Sequence, residues 1–255
     1  MPEGVRLFHR FDGPAGAEVL VLSNSLGTAL EMWDPQMPAF AERYRVLRYD
    51  MRGHGRSAVP PGPYSIADLG RDVLALLDGS GIDRVRFCGL SMGGMTGMWL
   101  GCNAPERIER LVLCNTSAQL GIPEHWNQRI AIVENEGMKG VAEGVIGRWF
   151  TPGFRAREPQ VVEKVRRMLL ETPPAGYAAC CAAIRDQDQR ETICAIPTPT
   201  LVVAGARDPA TPPDHSRFIA SKIPGARIVE LDAAHLSNIE ARDRFTASVL
   251  EFLAA

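Results

Sequence analysis

Val85-Arg-Phe-Cys-Gly89-Leu90-Ser91-Met92-Gly93-Gly94-Met95 joins an apolar run, a Gly-x-Ser-x-Gly motif and a helix-like stretch that continues through Leu100. A strand that turns sharply into a helix strains the backbone of the residue at the turn, and small neighbours two positions either side let the arms approach. Gly89 and Gly93 stand at those positions. The spacing predicts Ser91 exposed above a sheet, near the positive N-terminal end of the next helix. A glycine-rich turn with an incidental serine would match the motif alone; the strand before it and the helix after it supply the confirming context.

Outward from this turn, further apolar and β-branched runs read as strands: Val5–Phe11, Glu18–Leu22, Arg45–Tyr49, Arg84–Cys88, Arg110–Cys114, Thr200–Ala204 and Arg227–Leu231. The later ones are nearly continuous apolar runs, as parallel strands covered on both faces require. Helical patterns alternate with them. Ser65-Ile-Ala-Asp68 has the build of a helix start, with an apolar stripe at Ile66, Leu69, Val73, Leu76 and Leu77, and a last helix should run from about Glu240 to Leu253. Alternating strand and helix predicts an α/β fold with a mostly parallel central sheet flanked by helices. Between about Gln119 and Ile193 no strand pattern occurs, while Arg129–Val133 and Val161–Leu170 have helical periodicity, punctuated at Thr151-Pro-Gly153 and Thr172-Pro-Pro174. The expectation is an inserted helical cap over 119–193 on a core of 1–118 and 194–255, since long excursions from a sheet commonly serve as lids or binding elements.

Composition narrows the partners. Lys and Arg total 28 against 30 Asp and Glu, a net charge of -2, with no basic stripe. A small molecule is favoured over nucleic acid. The N-terminus MPEGVRLFHRF lacks the build of a signal peptide, and no apolar run approaches the roughly 20 residues of a membrane helix. The expected compartment is the cytoplasm, with no membrane partner; a homo-oligomer is compatible with the sequence. Cys88, Cys102, Cys114, Cys180, Cys181 and Cys194 form no Cys-x-x-Cys pair or zinc-type cluster, so reduced, structural thiols and no metal are expected.

A serine hydroxyl needs a neighbouring imidazole to take its proton. His235 lies in Leu231-Asp-Ala-Ala-His235-Leu236-Ser237, past a strand and before the last helix, where a loop could bring it over the sheet. His9 reads as an edge-strand residue, His54 as structural in a Gly-rich loop, and His125 and His215 lack the strand-end setting. The acid that orients the imidazole is assigned to Asp208, which ends Leu201-Val-Val-Ala-Gly-Ala-Arg-Asp208. Asp214 and Asp232 are its rivals, and a turn-capping role before Pro209 is the plainer alternative. The order Ser91, Asp208, His235 matches one known triad order. Charge building on a carbonyl oxygen needs two donors. The backbone N–H groups of Met92 and of Leu26, in the loop Leu22-Ser-Asn-Ser25-Leu26-Gly27-Thr28, are the candidates.

Together these stretches resemble the α/β-hydrolase superfamily over essentially the whole chain. Within it the chain is similar to bacterial 3-oxoadipate enol-lactonases through Ser23-Asn-Ser-Leu-Gly-Thr28, Met32-Trp-Asp-Pro-Gln36, Arg48-Tyr-Asp-Met-Arg-Gly-His-Gly-Arg-Ser57, Gly62-Pro-Tyr-Ser-Ile66, Phe87-Cys-Gly-Leu-Ser-Met-Gly-Gly94, Tyr177-Ala-Ala-Cys-Cys-Ala-Ala-Ile184 and Ala233-Ala-His-Leu-Ser-Asn238. The elbow and the Arg-Gly-His-Gly-Arg-Ser loop are shared by many hydrolases. Asn24-Ser25, where a typical member has His-Gly, and Tyr177–Ile184 discriminate better. The resemblance implies hydrolysis of 3-oxoadipate enol-lactone to 3-oxoadipate, in the β-ketoadipate pathway of aromatic catabolism, with no cofactor. That substrate carries a carboxylate, so its pocket should offer a cation. The cap supplies Arg129, Arg148 and Arg185, with Trp126, Trp149 and Tyr177 as an apolar wall; Ser25, Trp126, Arg129, Trp149 and Arg185 are the expected substrate contacts. A carboxylesterase or perhydrolase acting on neutral esters, and a non-catalytic hydrolase-fold binding protein, are the rival readings. Serine rather than aspartate at position 91 disfavours a haloalkane dehalogenase.

Overall fold

The computed structural model describes residues 5–255, so the first four positions of the N-terminal stretch lie outside the described residues. Seven strands, β1 (His9–Asp12), β2 (Val19–Ser23), β3 (Arg45–Tyr49), β4 (Val85–Leu90), β5 (Ile108–Cys114), β6 (Thr200–Gly205) and β7 (Arg227–Leu231), form one sheet in the order β1-β3-β2-β4-β5-β6-β7. Only β1 runs antiparallel, pairing His9 with Tyr49 and Asp12 with Val46. The remaining neighbours are parallel. Every residue of β4 and β6 is buried, which fits the apolar runs Phe87–Leu90 and Leu201–Gly205, with Arg86 the charged exception in β4. The first strand differs from expectation. Its run begins at Val5, yet only His9–Asp12 pairs, because the partner strand β3 ends at Tyr49, opposite His9.

Helices cover the sheet: α1 (Met37–Phe40), α2 (Ile66–Gly79) and α3 (Met92–Asn103), then α4 (Pro123–Glu136), α5 (Lys139–Trp149), α6 (Pro152–Arg157), α7 (Pro159–Leu170) and α8 (Pro174–Asp186), and finally α9 (Pro213–Lys222), α10 (Ser237–Glu240) and α11 (Arg242–Ala254). Ser65 and Asp68 form the reciprocal cap at the start of α2: Asp68 N–H donates to Ser65 Oγ at 3.1 Å, and Ser65 N–H to Asp68 Oδ2 at 2.9 Å. The last helix, expected from about Glu240 to Leu253, forms unbroken as α11, and the short α10 precedes it. No helix among the described residues is long and apolar enough to cross a membrane.

The stretch α4–α8 interrupts the alternation between β5 and β6 without adding a strand. Its last helix docks on the core, where Tyr64 N–H donates to the Ala179 carbonyl at 3.3 Å. Parallel order places the ends of β2, β4, β5, β6 and β7 along one sheet edge, and the helical stretch leaves from that edge. This is where α/β sheets gather their ligands.

Candidate functional site

Five strand ends build the site. After β4 the chain reverses at Ser91, with φ 58 and ψ -114, and enters α3. A side chain pays a strain penalty at that φ, which persists only where the surroundings enforce it. They do: Ser91 N–H donates to the Cys114 carbonyl at 2.8 Å, and Thr116 Oγ1 donates to the Ser91 carbonyl at 2.7 Å. A Cβ on Gly89 would collide with the Gly93 carbonyl, and one on Gly93 with the Ser23 carbonyl, which is why the elbow carries glycine at both.

From the end of β7, His235 turns back over the sheet, and its Nδ1 lies 2.8 Å from Asp208 Oδ2, just beyond β6. Both are buried. Asp208 Oδ1 accepts from the Ala210 and Thr211 N–H groups at 2.8 and 3.0 Å, and Oδ2 also accepts from Thr211 Oγ1 at 2.7 Å and Asn115 Nδ2 at 3.0 Å. Burial alone would raise the Asp208 carboxyl; the charge and hydrogen bond of His235 and the donors of Asn115 and Thr211 outweigh it and hold the pKa below the usual range. An ionised carboxylate can only accept, so this contact places a proton on His235 Nδ1 and leaves Nε2 free to accept. Ser91 and His235 line one cavity of about 380 Å³. The hydrogen bond from Ser91 Oγ to His235 is not closed in this structure, a looseness common before substrate tightens such sites.

The rival acids lie elsewhere. Asp214 and Asp232 are exposed and pair with Arg217 and Arg207, at 2.8 and 2.7 Å.

Backbone amides near Ser91 show a telling pattern. Ser25 N–H reaches Met32 Sδ, Gly27 N–H reaches His54 Nε2 at 2.9 Å, and Thr28 N–H reaches the Ser25 carbonyl at 3.2 Å. On the other side, Ser91 N–H and Gly93 N–H are bonded to the carbonyls of Cys114 and Asn24. Leu26 and Met92, between these satisfied neighbours, have amides with no acceptor among the described residues. Two unspent donors beside a buried hydroxyl can stabilise an oxyanion. Asn24 anchors the loop: its Nδ2 donates to the Tyr49 carbonyl at 2.8 Å, and Trp33 Nε1 donates to its Oδ1 at 3.0 Å, pinning the loop to β3.

Of the expected substrate contacts, Ser25, Trp126, Arg129 and Trp149 line the cavity, as does Leu26. Arg185 does not, a correction. Its guanidinium turns outward to Asp186 at 2.7 Å and Asn127 at 2.7 Å, because position 185 faces the solvent side of α8. Arg148 takes its place in the cavity beside Arg129. Burial, then the Arg129 charge, lowers the Arg148 pKa, opposed by Tyr177. Arg129 stacks over Trp126 at 4.8 Å. His125, set aside for want of a strand end, also lines the cavity, from the first turn of α4.

Two residues escaped the sequence reading. Thr211 follows Asp208 by three, the spacing of a hydroxyl that closes an Asp turn, and this could have been noticed. Asn115, at φ 43, follows directly on β5; an αL-tolerant Asn after an apolar strand was its only signal.

Burial pushes the His54 pKa down to about 4, with its bond to the Arg52 carbonyl and the Asp50 charge opposing the shift. In the unfolded chain His54 binds a proton near pH 6.5, so between about 6.5 and 4 the unfolded state holds more protons than the folded one. Stability is complete above that window and falls as pH drops through it, by up to about 3 kcal/mol. Urea midpoints from pH 7.5 to 4.5 should fall less steeply in His54→Gln; equal slopes would remove His54 as the cause.

Comparison with known proteins agrees with this geometry. A family model described as alpha/beta hydrolase fold matches residues 18–242. The 3-oxoadipate enol-lactonase 2 of Acinetobacter baylyi is 41% identical over 247 residues, 97% of this chain and 92% of that protein. The crystal structure of the enol-lactonase from Burkholderia xenovorans LB400 superposes with a TM-score of 0.98 at 48% identity, covering 99% of this chain and 98% of that one. A hydrolase from Pseudomonas aeruginosa PA01 gives 0.97 at 51% identity, over 100% and 97%. Strand order, elbow geometry and these matches place the chain in the alpha/beta hydrolase family.

Proposed function

We propose that this chain is a carboxylic ester hydrolase that opens the ring of 3-oxoadipate enol-lactone to give 3-oxoadipate, with Ser91 as nucleophile, His235 as base and Asp208 as its orienting acid. The residues 119–193 act as a cap over a core of 1–118 and 194–255. His235 Nε2 takes the proton of Ser91 Oγ as Oγ bonds to the lactone carbonyl carbon. The Leu26 and Met92 amides receive the oxyanion. Collapse breaks the ring C–O bond and releases an enolate, which takes the proton carried by His235 and becomes a ketone. Water, deprotonated by His235, then attacks the acyl carbon, and Ser91 Oγ leaves with that proton. One lactone and one water give one acid.

The observation that carries the substrate reading is the pair Arg129 and Arg148 in the cavity of Ser91 and His235, with no carboxylate among the described residues that line it. Half-buried cations left unpaired in a pocket favour an anionic ligand. The sequence likeness to enol-lactonases supports the same substrate. All six cysteines are free, which fits a reducing cytoplasm.

The test is steady-state hydrolysis of freshly generated enol-lactone beside the neutral p-nitrophenyl acetate. A kcat/KM ratio of at least about 100, or about 2.7 kcal/mol of transition-state preference, is expected. Equal use of both would leave a serine esterase for neutral substrates. Arg129→Met and Arg148→Met should each raise KM for the lactone about 10- to 100-fold, the worth of a charge-assisted hydrogen bond, and leave the neutral ester unaffected. An unchanged lactone KM in both variants would end the role of the pair.

A further inference from the structure

We propose that His54 is a positioning residue for the hydrolytic site: by accepting from the Gly27 N–H it locks the turn that aims the Leu26 N–H at the developing oxyanion. The inference rests on the reading that Ser91 attacks an acyl carbon whose oxygen is received by Leu26 and Met92.

The turn is built from few parts. Thr28 N–H closes on the Ser25 carbonyl at 3.2 Å, and Thr28 Oγ1 adds a second bond to the same oxygen at 2.8 Å. With the Ser25 oxygen drawn towards Thr28, the trans peptide sends the Leu26 N–H the opposite way. Gly27, at φ 78, occupies the left-handed third position of a type II turn. Types I and II differ by a flip of the middle peptide, between Leu26 and Gly27. The bond from Gly27 N–H to His54 Nε2, 2.9 Å long, belongs to that peptide and holds it in one orientation.

The imidazole is committed to this task. An N–H donating into Nε2 requires the ring proton on Nδ1, which faces the Arg52 carbonyl at 3.2 Å. Both ring nitrogens are satisfied, and the side chain is fully buried. Depression of its pKa by burial keeps it neutral, as an acceptor must be. The segment bearing His54 also holds the far end of the loop, since Asp50 Oδ1 accepts from Leu30 N–H at 2.8 Å and Asp50 Oδ2 from Arg56 N–H at 2.9 Å. Gly27 and Leu30 thus hang from one rigid support, with the free Leu26 amide next to the first.

A histidine that served only the packing would lower the melting temperature without separating kcat from KM. The comparison is His54→Leu, which fills the space without an acceptor, against His54→Gln, whose carboxamide oxygen can accept from Gly27. Both are assayed on the enol-lactone and on p-nitrophenyl acetate, with Ser91→Ala as control, and titrated with a boronic acid that forms a tetrahedral adduct on Ser91. His54→Leu should lose about 10- to 100-fold in kcat with KM within about threefold, and boronate affinity should fall by the same factor as kcat. His54→Gln should recover most of both. Equal activity of the two variants, or a loss confined to KM with boronate affinity intact, overturns the proposal. In the unaltered protein, nitrogen–nitrogen scalar coupling between Gly27 and His54 Nε2 should be seen by NMR and persist in the boronate adduct; its absence overturns the proposal whether or not the variants fold. Ester hydrolysis that survives Ser91→Ala would overturn the serine mechanism and this inference together. Loss of that hydrolysis with unaffected His54 variants removes this inference alone.

Discussion

Ser91→Ala should lower kcat/KM for the enol-lactone by about 10⁵-fold, or about 7 kcal/mol of transition-state stabilisation. The loss comes from chemistry and not from folding. The turn at Ser91 is held through its backbone, by the Cys114 carbonyl on one side and Thr116 Oγ1 on the other, and alanine leaves both bonds in place. The side chain is buried in the cavity wall, and its Oγ donates to no group among the described residues, so no partner is orphaned. The Leu26 and Met92 amides survive as well, which is why some acceleration over water should remain. The measurement is kcat/KM beside the pre-steady-state burst with p-nitrophenyl acetate. The burst should vanish and the melting temperature should stay within about 2 °C. Residual activity above about 1% would mean that water, not Ser91, is the attacking group.

Much of this arrangement was legible in the residue order because the physics behind it is local. An elbow needs glycine two positions either side of the nucleophile, and Gly89 and Gly93 announce it. Buried parallel strands need apolar residues on both faces, so β4, β5 and β6 stand out. The chain order Ser91, Asp208, His235 follows from strand ends that a parallel sheet brings to one edge. What sequence could not give depends on direction in space. Arg148 and Arg185 are both arginines in helices of the same stretch, and only the packing of α5 and α8 decides that the first meets the cavity and the second meets Asp186. The extent of β1 depends on where its partner β3 ends, at Tyr49 opposite His9. His54 read as structural because nothing in Arg52-Gly-His-Gly-Arg-Ser57 reveals that its ring meets an amide 27 residues earlier. Asn115 joins three segments, donating to Asp208 and to the Ala234 carbonyl while accepting from Ser237 Oγ at 2.5 Å, across separations no periodicity registers.

Asp208→Asn should cost about 10³- to 10⁴-fold in kcat with the fold intact, and the donors around Asp208 explain why so small a change does so much. Oδ1 faces two backbone amides, Ala210 and Thr211, which cannot turn away. An asparagine must therefore keep its oxygen on that side and present its NH₂ where Oδ2 was. There it meets Thr211 Oγ1, Asn115 Nδ2 and His235 Nδ1. The hydroxyl can rotate to accept, but the Asn115 amide cannot while it still serves Ala234. His235 adapts by giving up the proton on Nδ1 and carrying it on Nε2, the tautomer that cannot take a proton from Ser91. Asp214→Asn and Asp232→Asn, on exposed ion pairs away from the cavity, should stay within about twofold of the original rate, since such pairs contribute little. Nitrogen-15 shifts of the His235 ring report the tautomer directly, and they should exchange Nδ1–H for Nε2–H in Asp208→Asn. A variant that keeps Nδ1–H and still loses 10³-fold would show that the negative charge of Asp208, which stabilises the imidazolium formed as Ser91 attacks, matters more than its hold on the tautomer.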